Sequence, residues 1–345
     1  MIHAPEKTGR SEGRLIVLVC PVKNEAWILP LFLAAASHIA DVIIVADQGS
    51  QDGSREICRQ FPKVRLIENP SATFNEPERQ KLLLAEARKV RGEKVILALD
   101  ADEILSATVF TSPQWRAALG AAPGTGIRLP HVQLWGTPGR FKGPDDSLFL
   151  CGFVDDGSAH AGKLIHSPRL PEGRSTADVS DVVLLHYQFT ARERALSKQR
   201  WYQCYERLSH PEIDPVGLYR SYAWLTRGYA RLPLRKCPKE WHEGWLQRGV
   251  DTANVRSEGP YWWDWQLLQW FEQYGEKTFA RQDIWGMDWD ALRREGQRRK
   301  IAGLPDRAIV DPRTAKDRLA LALLRTSQGR FWRPWADKAA HYLGW

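Results

Sequence analysis

Three acidic residues follow an apolar run near residue 100. The segment VILALDADEIL, residues 95–105, places Asp100, Asp102 and Glu103 directly after five apolar residues. An apolar run without polar alternation is typical of a strand that is buried on both faces of a parallel sheet. Crowded carboxylates repel one another unless a cation or a hydrogen-bond donor neutralises them. The pattern therefore indicates either a divalent cation site or an acidic turn at the start of a helix, where Asp and Glu are also common.

Strand-like and helix-like segments alternate through the first hundred residues, which predicts an α/β fold with a mostly parallel sheet covered by helices. Ligands bind such sheets at the carboxyl ends of the strands. We therefore expect a site where the loops 21–26, 47–54 and 100–103 meet. The predicted strands cover residues 14–20, 41–47, 64–69 and the apolar part of 95–105, and the predicted helices cover residues 26–39, 54–61 and 76–90.

The pattern loosens after Asp102, and the composition changes again in the C-terminal third. We predict three domains: a tail at 1–13, a catalytic domain at 14–210 and a largely helical, Trp-rich, basic region at 211–345, which holds twelve of the sixteen tryptophans. The tryptophans could pack a core or stack on an acceptor sugar. Between the two main regions we predict a helix at 106–120, an antiparallel strand at 126–135, a loop at 136–146, short strands within 148–190 and a helix at 191–208.

The positive charge of the chain lies near its C-terminus. Residues 291–333 contain twelve Arg and Lys against four acids, a surplus equal to the net charge of +8 of all 345 residues. The amphipathic stretch 313–325 within this region predicts peripheral contact with an anionic membrane surface or with a phosphorylated substrate. Alternatively, it is a helix packed on the body of the protein through Leu319, Leu321, Leu323 and Leu324.

The cysteines and the apolar runs bear on the compartment. The five cysteines are scattered without CxxC spacing, which is typical of a reducing compartment and of a chain with neither disulfides nor a structural zinc site. The N-terminus lacks an apolar signal core, and no apolar run reaches the length of roughly 18 residues that spans a bilayer. We therefore expect a cytoplasmic protein, with membrane contact limited to the inner face.

Together, the three loops resemble the family 2 glycosyltransferases of the GT-A, Rossmann-like fold. The resemblance covers residues 14–105 and rests on Lys23-Asn24-Glu25, on the run from Asp47 to Ser54 (DQGSQDGS) and on Asp100-Ala101-Asp102-Glu103. It implies a metal-dependent, inverting transfer of a hexose from a nucleotide-sugar to a glycan or glycolipid. UDP-sugars are the commonest donors in this family, whose bacterial members build surface polysaccharide and lipopolysaccharide.

The resemblance also implies roles for particular residues. Asp102 would bind Mn²⁺ or Mg²⁺, and His186 at a strand end would complete the metal site, although a lone histidine there is often structural. Asp100 would hold the ribose or share the metal. Arg79 would reach the nucleotide, or is a solvated helical arginine. The other residues expected at the nucleotide-sugar are Lys23, Asn24, Glu25, Asp47 and Gly49, whereas Asp52 is expected to cap the helix that begins at Ser54.

An inverting transfer needs a carboxylate base for the acceptor hydroxyl. The pair Asp155 and Asp156 lies in the region where the family carries its base, although a simple Asp-Asp-Gly turn explains it equally well. Glu193 is the reserve candidate. His160 and His166 are weaker candidates for the acceptor pocket.

Two other functions compete with this one. A sugar nucleotidyltransferase also uses a parallel sheet and an acidic metal site, but it needs a Gly-rich, basic loop after the first strand. The segment CPVKNEAW, residues 20–27, has one lysine and no glycine. A basic, Trp-rich protein could instead bind nucleic acid, with steep salt dependence and no need for a metal.

Overall fold

The computed structural model describes residues 13–69, 76–142, 148–160, 168–222, 234–255 and 257–345. The chain forms two compact units: the first contains residues 1–190 and 234–257, and the second contains residues 191–233 and 258–345. This division differs from the predicted boundary at residue 210. The helix that follows residue 191 belongs to the second unit, and the segment 234–257 returns to the first.

The first unit alternates strands and helices as predicted. Its strands and helices, in chain order, are β1 (Leu15–Val22), α1 (Leu29–Ile39), β2 (Val42–Asp47), α2 (Ser54–Arg59), β3 (Val64–Glu68), α3 (Glu76–Arg88), β4 (Lys94–Ala98), β5 (Glu103–Leu105), α4 (Pro113–Leu119), β6 (Thr125–Trp135), β7 (Thr137–Lys142), β8 (Leu148–Val154), β9 (Ser175–Asp178), β10 (Leu184–Phe189) and β11 (Leu234–Lys236).

The strands join in one sheet with the order β11-β7-β6-β8-β4-β1-β2-β3. β1 lies parallel to both β2 and β4, and β2 lies parallel to β3, so the predicted α/β fold with a parallel core is confirmed. The apolar residues of β1 and β4 are buried on both faces, as the unbroken apolar runs indicated. In the register, Val22 pairs with Asp47, which puts the ends of β1 and β2 at the same edge.

Two predicted elements differ in the structure. Thr137–Lys142, predicted as part of a loop, forms β7, because β6 and the sequence-distant β11 pair with it on its two sides. The predicted helix 106–120 divides into a 3₁₀ turn at Ala107–Phe110 and α4. Pro113 lacks an amide hydrogen and begins a new helix, whose N-cap Ser112 accepts a hydrogen bond from the Trp115 amide at 2.8 Å.

The segment 234–257 completes the core of the first unit. The indole of Trp245, in a short helix at Glu243–Leu246, is fully buried and donates from Nε1 to the Leu105 carbonyl at 2.8 Å. Its ring meets that of Phe110 edge-on with centroids 4.9 Å apart. His242, just before that helix, lies 2.8 Å from the Thr252 hydroxyl and 3.1 Å from the Pro138 carbonyl. A sequence-distant segment is thereby fixed to the sheet by both packing and hydrogen bonds.

The second unit is helical where the structure describes it, and its tryptophans pack a core. Trp285 and Trp289 are buried around Phe271, with ring centroids 5.3 Å and 5.2 Å from that of Phe271. Among the described residues, no helix is long and apolar enough to cross a membrane. The main helices of this unit span Arg192–Ser209, Pro215–Tyr222, Trp262–Tyr274, Trp289–Arg298, Ala315–Ser327 and Arg333–Tyr342.

Candidate active site

The loops after β1 and β2 are joined by hydrogen bonds. The Asn24 amide donates to the Ser50 hydroxyl at 2.8 Å, and the Gln51 amide donates back to Asn24 Oδ1 at 2.7 Å. Asn24 has the left-handed backbone, with φ of 56°, that Asn tolerates better than most residues. Asp52 accepts from the Ala26 amide at 2.9 Å and from the Ser54 amide at 3.0 Å, so it connects the two loops at the start of α2.

Asp47 is the last residue of β2 and is almost fully buried under its own loop. Its carboxylate accepts from the Ser50 amide at 3.1 Å, and Arg55 Nε lies 3.8 Å away. Glu25 accepts from the Trp27 indole at 2.6 Å, whereas Lys23 is exposed. The predicted residues of the first two loops thus lie together at one edge of the sheet, and their side chains hold the loops in shape.

Arg169 ties the acidic residues after β4 together. Its guanidinium donates to Asp100 Oδ2 at 2.5 Å and to Glu103 Oε2 at 2.5 Å, and it lies over the Phe149 ring at 4.8 Å from the centroid. Asp100 is partly exposed, whereas the Glu103 side chain is 1% exposed. One arginine therefore binds two neighbouring carboxylates at this edge and offsets part of their negative charge.

The protonation of these acids follows from their surroundings. Burial alone raises the pKa of Glu103, but the Arg169 guanidinium and the His131 ring outweigh it and lower that pKa to about 2. Burial and the adjacent carboxylates raise the pKa of Asp100 above its usual value, against the opposing effect of Arg169 and of Arg79. Glu103 is therefore ionised at neutral pH. Arg79, in the first turn of α3, is close enough to act on Asp100.

Two histidines face the acidic residues. β10 pairs with β5 so that His186 lies opposite Glu103, and His186 Nε2 is 3.4 Å from Asp102 Oδ2. The His131 ring, on β6, stacks on His186 with centroids 5.1 Å apart, and its Nε2 lies 3.2 Å from Glu103 Oε1. Burial lowers the pKa of His186, but the carboxylates of Asp102, Glu103 and Asp100 together outweigh it, and the net pKa is above the usual value.

The residues at this edge suit a divalent cation. Three possible ligand atoms lie within 4.8 Å of one another, one each from Glu103, His131 and His186. His186 Nε2 is the ring nitrogen that faces Asp102, whereas Nδ1 is buried and has no hydrogen-bond partner among the described residues. Arg169 already binds the Glu103 carboxylate, and Asp102 with His186 stays the predicted ligand pair. Carboxylate with imidazole is a donor set that Mn²⁺ accepts well and Mg²⁺ less readily.

Arg169 and His131 carried little signal in the sequence. Arg169 follows residues 161–167, which lie outside the described part of the chain, and no motif surrounds it. His131 is a polar residue within the strand GIRLPHVQLW, and only the pairing of β6 with β10 shows what it faces. A histidine inside a strand that is mostly apolar around it was the one signal available.

Asp155 and Asp156, predicted as the base, do not lie with the acidic residues that follow β4. β8 runs antiparallel to β4 with Val154 opposite Val95, and the Asp155 amide donates to the Lys94 carbonyl at 3.0 Å. Both acids therefore lie at the amino end of β4, which is roughly 13 Å along the strand from its carboxyl end. Asp155 pairs with Arg88 at 2.9 Å, and Asp156 accepts from the Ser158 amide at 2.9 Å.

The remaining candidates are dispersed. His160 is buried in the same region as Asp156, and its Nε2 lies 2.5 Å from the Pro168 carbonyl. His166 lies outside the described residues. Glu193 belongs to the second unit, where its exposed carboxylate accepts from Arg192 at 2.8 Å. Gly49, by contrast, has the positive φ of 72° that its turn beside Asp47 requires.

Comparisons with known proteins give one family and several distant structures. Residues 17–112 match the family model described as glycosyl transferase family 2. No curated protein matches the chain. A structure of glucosyl-3-phosphoglycerate synthase from Mycobacterium tuberculosis with Mn²⁺, UDP and phosphoglyceric acid is 19% identical with a TM-score of 0.26, over 38% of this chain and 49% of that chain. This chain thus spans about half the length of that enzyme.

Two further solved structures are similar at the same distant level. Mannose-1-phosphate geranyltransferase from Thermus thermophilus is 19% identical with a TM-score of 0.25, over 76% of this chain and 78% of that chain. A structure of 4-diphosphocytidyl-2C-methyl-D-erythritol synthase is 17% identical with a TM-score of 0.23, over 35% of this chain and 61% of that chain.

Proposed function

We propose that this protein is a metal-dependent, inverting glycosyltransferase, a proposal supported by the match of residues 17–112 to the model of glycosyl transferase family 2. It takes a hexose from a UDP-sugar and transfers it to a glycan or glycolipid acceptor. The observation that carries this proposal is the meeting of Asp100, Asp102 and His186 at the edge where β1 and β2 also end. Asp102 and His186 would hold the cation.

The chemistry needs positive charge at the leaving group. A divalent cation between Asp102 and His186 would offset the charge that develops on the nucleotide diphosphate as the glycosidic bond breaks. Glu103 and Arg169 hold the neighbouring backbone, because Glu103 Oε2 accepts from the Asp100 amide at 2.9 Å. Their contribution is to keep the acidic turn in one conformation before the donor binds.

The donor nucleotide would lie along the joined loops. Asp100 is partly exposed and has an acceptor oxygen for a ribose hydroxyl. Arg79 is a candidate for the phosphates, since an arginine fork suits phosphate oxygens. Asn24, Asp47 and Gly49 would shape the loop against which the base packs, and exposed Lys23 would lie at its rim.

The test is calorimetric titration of UDP, GDP and CMP into the protein, with and without Mn²⁺. We expect Mn²⁺-dependent binding of UDP, weakened by at least about tenfold in Asp102→Asn because a metal ligand is lost. The matched control is Asp178→Asn, which removes the same charge from an exposed pair with Arg128 on the same unit. The control should bind UDP as the wild type does.

Each other outcome removes part of the proposal. If no nucleotide binds, the transferase function fails. If UDP binds equally well without Mn²⁺, the metal is not part of the site. If Asp178→Asn weakens binding as much as Asp102→Asn, the effect comes from net charge and Asp102 is not a ligand. Preferred binding of GDP or CMP would show that the donor carries guanosine or cytidine instead of uridine.

A further inference from the structure

The helix Arg333–Tyr342 of the second unit exposes large aromatic side chains. Ala336 and Ala340 face the protein interior and are buried. Phe331 is 95% exposed, Trp335 75% and Tyr342 91%. Single exposed apolar residues are ordinary on a soluble protein, but three large ones close together indicate a contact surface.

These residues share one side of the helix. Residues 331, 335, 338 and 342 are spaced by four, three and four positions, which is the repeat of a single helix face. Phe331 lies in the turn directly before the helix and continues the line. We call the side chains of Phe331, Trp335, Lys338 and Tyr342 the aromatic stripe. It lies opposite the buried face of Ala336 and Ala340.

The charge around the aromatic stripe is positive. Lys338 Nζ lies 5.8 Å from the Trp335 ring centroid, and Arg330 and Arg333 are exposed at the start of the helix. The acid on this helix, Asp337, accepts from Arg220 at 2.5 Å, so its charge is balanced from within the unit. Arg333 Nε also lies 3.6 Å from Asp337 Oδ2, so Lys338 and Arg330 are the positive charges beside the aromatic stripe that can attract an anionic partner.

We propose that the aromatic stripe docks on a membrane surface that contains anionic phospholipid. Trp and Tyr favour the interface between lipid and water, because their rings are apolar and their NH or OH group stays hydrated. Lysine and arginine beside such rings add attraction to anionic headgroups of about 1 kcal/mol each. A protein partner would need acidic groups at matching positions, whereas a lipid surface supplies negative charge at any position.

This inference does not depend on the donor site. The membrane contact involves neither Asp102 nor His186, so its failure would leave the proposed transferase activity untouched. If both hold, docking would bring the enzyme to the surface where a glycolipid acceptor lies.

The test is sedimentation of the full chain with vesicles of phosphatidylcholine and phosphatidylglycerol in equal parts. We expect the protein to sediment with these vesicles and not with pure phosphatidylcholine. The double variant Phe331→Ser/Trp335→Ser should lower the partition coefficient at least about tenfold, because it removes the two rings that would be buried in the lipid interface. Lys338→Gln should lower it about fivefold, and less at high salt.

Val310→Ser is the matched control, because Val310 is 70% exposed in the same unit and lies outside the aromatic stripe. It should sediment as the wild type does. The proposal is overturned if the wild type does not bind anionic vesicles, or if the double variant binds as well as Val310→Ser. Analytical ultracentrifugation without lipid gives a third outcome: a dimer that the double variant abolishes would show that the stripe is a contact between copies of the chain instead.

Discussion

Arg169 supplies the positive charge that allows Asp100 and Glu103 to lie side by side. It also donates toward the Ala98 carbonyl at 3.4 Å, so it fixes the end of β4 as well as the acids that follow it. The guanidinium acts as an internal cation next to the pair expected to hold an external one. The acidic turn is thus ordered by the protein itself.

Removal of this arginine should be costly. In Arg169→Gln, the carboxylate of Glu103 stays buried without its main counter-charge, and we expect the free energy of unfolding to fall by about 3 kcal/mol. Urea denaturation, monitored by circular dichroism, measures this free energy of unfolding. Arg128→Gln, in an exposed ion pair, should change stability by no more than about 0.5 kcal/mol.

A second variant checks the cause. Adding Glu103→Gln to Arg169→Gln should recover part of the lost stability, because no buried charge then remains. A loss in Arg169→Gln no larger than that in Arg128→Gln would show that water or His131 satisfies Glu103 and that the arginine is dispensable for folding.

At the residue scale, the sequence predicted what lies in short motifs. Asp102 and His186 were paired through a family pattern, and the structure places them 3.4 Å apart, although their role as metal ligands stays a prediction. Arg169 and His131 could not be found this way, because His131 reaches the site through the pairing of β6 with β10 and Arg169 lies outside the strands, in a segment distant in sequence from the acids it binds. The position of Asp155 and Asp156 could not be predicted either, because the direction of β8 decides which edge of the sheet they occupy and the local sequence does not state that direction.

At the scale of elements, the segment 234–257 is the least expected part of the first unit. It lies beyond the predicted domain boundary, yet it pairs β11 with β7 and buries Trp245 against Leu105. The strands and helices before residue 100 were predictable, because apolar runs and turn residues are local signals. β7 was missed because its two pairing partners make it a strand, whereas its Gly and Pro favour a loop.

Trp245→Ala should remove the main contact of this segment. We expect a loss of about 3–5 kcal/mol, because a fully buried ring and its hydrogen bond are replaced by a cavity. Trp335→Ala is the control, since that ring is 75% exposed and its loss should leave the unfolding free energy nearly unchanged. Chemical denaturation of both variants measures the two unfolding free energies. Equal stabilities would show that the segment does not hold the first unit together.

The same segment should make stability depend on pH. Burial lowers the pKa of His242 below its usual value of 6.5, and the Pro138 carbonyl requires a hydrogen on Nε2 while Nδ1 accepts from Thr252. Below pH 6.5 the unfolded chain takes up a proton that the folded chain resists. Stability should therefore fall as the pH falls from 6.5 through the lower folded pKa, by up to about 1.4 kcal/mol per pH unit for one such group.

His242→Gln should reduce this slope, measured by urea denaturation between pH 7.5 and about 5. It should not abolish the slope, because burial also lowers the pKa of His38, and that group acts in the same direction. If His242→Gln has the wild-type slope, groups other than His242 cause the pH dependence of stability. The comparison uses slopes, so any loss of packing at neutral pH does not affect it.

At the scale of the whole molecule, the two units divide the chain into four segments, not two. The first unit is complete only when residues 234–257 are present. A chain that ends at residue 210, the predicted boundary, should expose the apolar surface around Leu105 and Phe110. We expect trypsin to digest its first unit faster than that of a chain that ends at residue 257.

Mass spectrometry of the digests identifies the surviving core in each case. If residues 13–190 survive equally in both chains, the first unit is stable without its returning segment. The predicted boundary and the division into units differ because composition marks where tryptophan and basic residues become frequent, whereas a unit is defined by which residues are in contact.

The separation of 140 positions between Leu105 and Trp245 also concerns how the protein is made. The strands up to Leu105 leave the ribosome well before Trp245, whose indole packs against them. During that interval the nascent chain carries an open apolar recess on an otherwise ordered sheet, and the first helices of the second unit emerge in the meantime. Such intermediates are the ones that aggregate or engage chaperones. The yield of folded protein in a cell should therefore depend on the time that translation takes between the strands before Leu105 and Trp245.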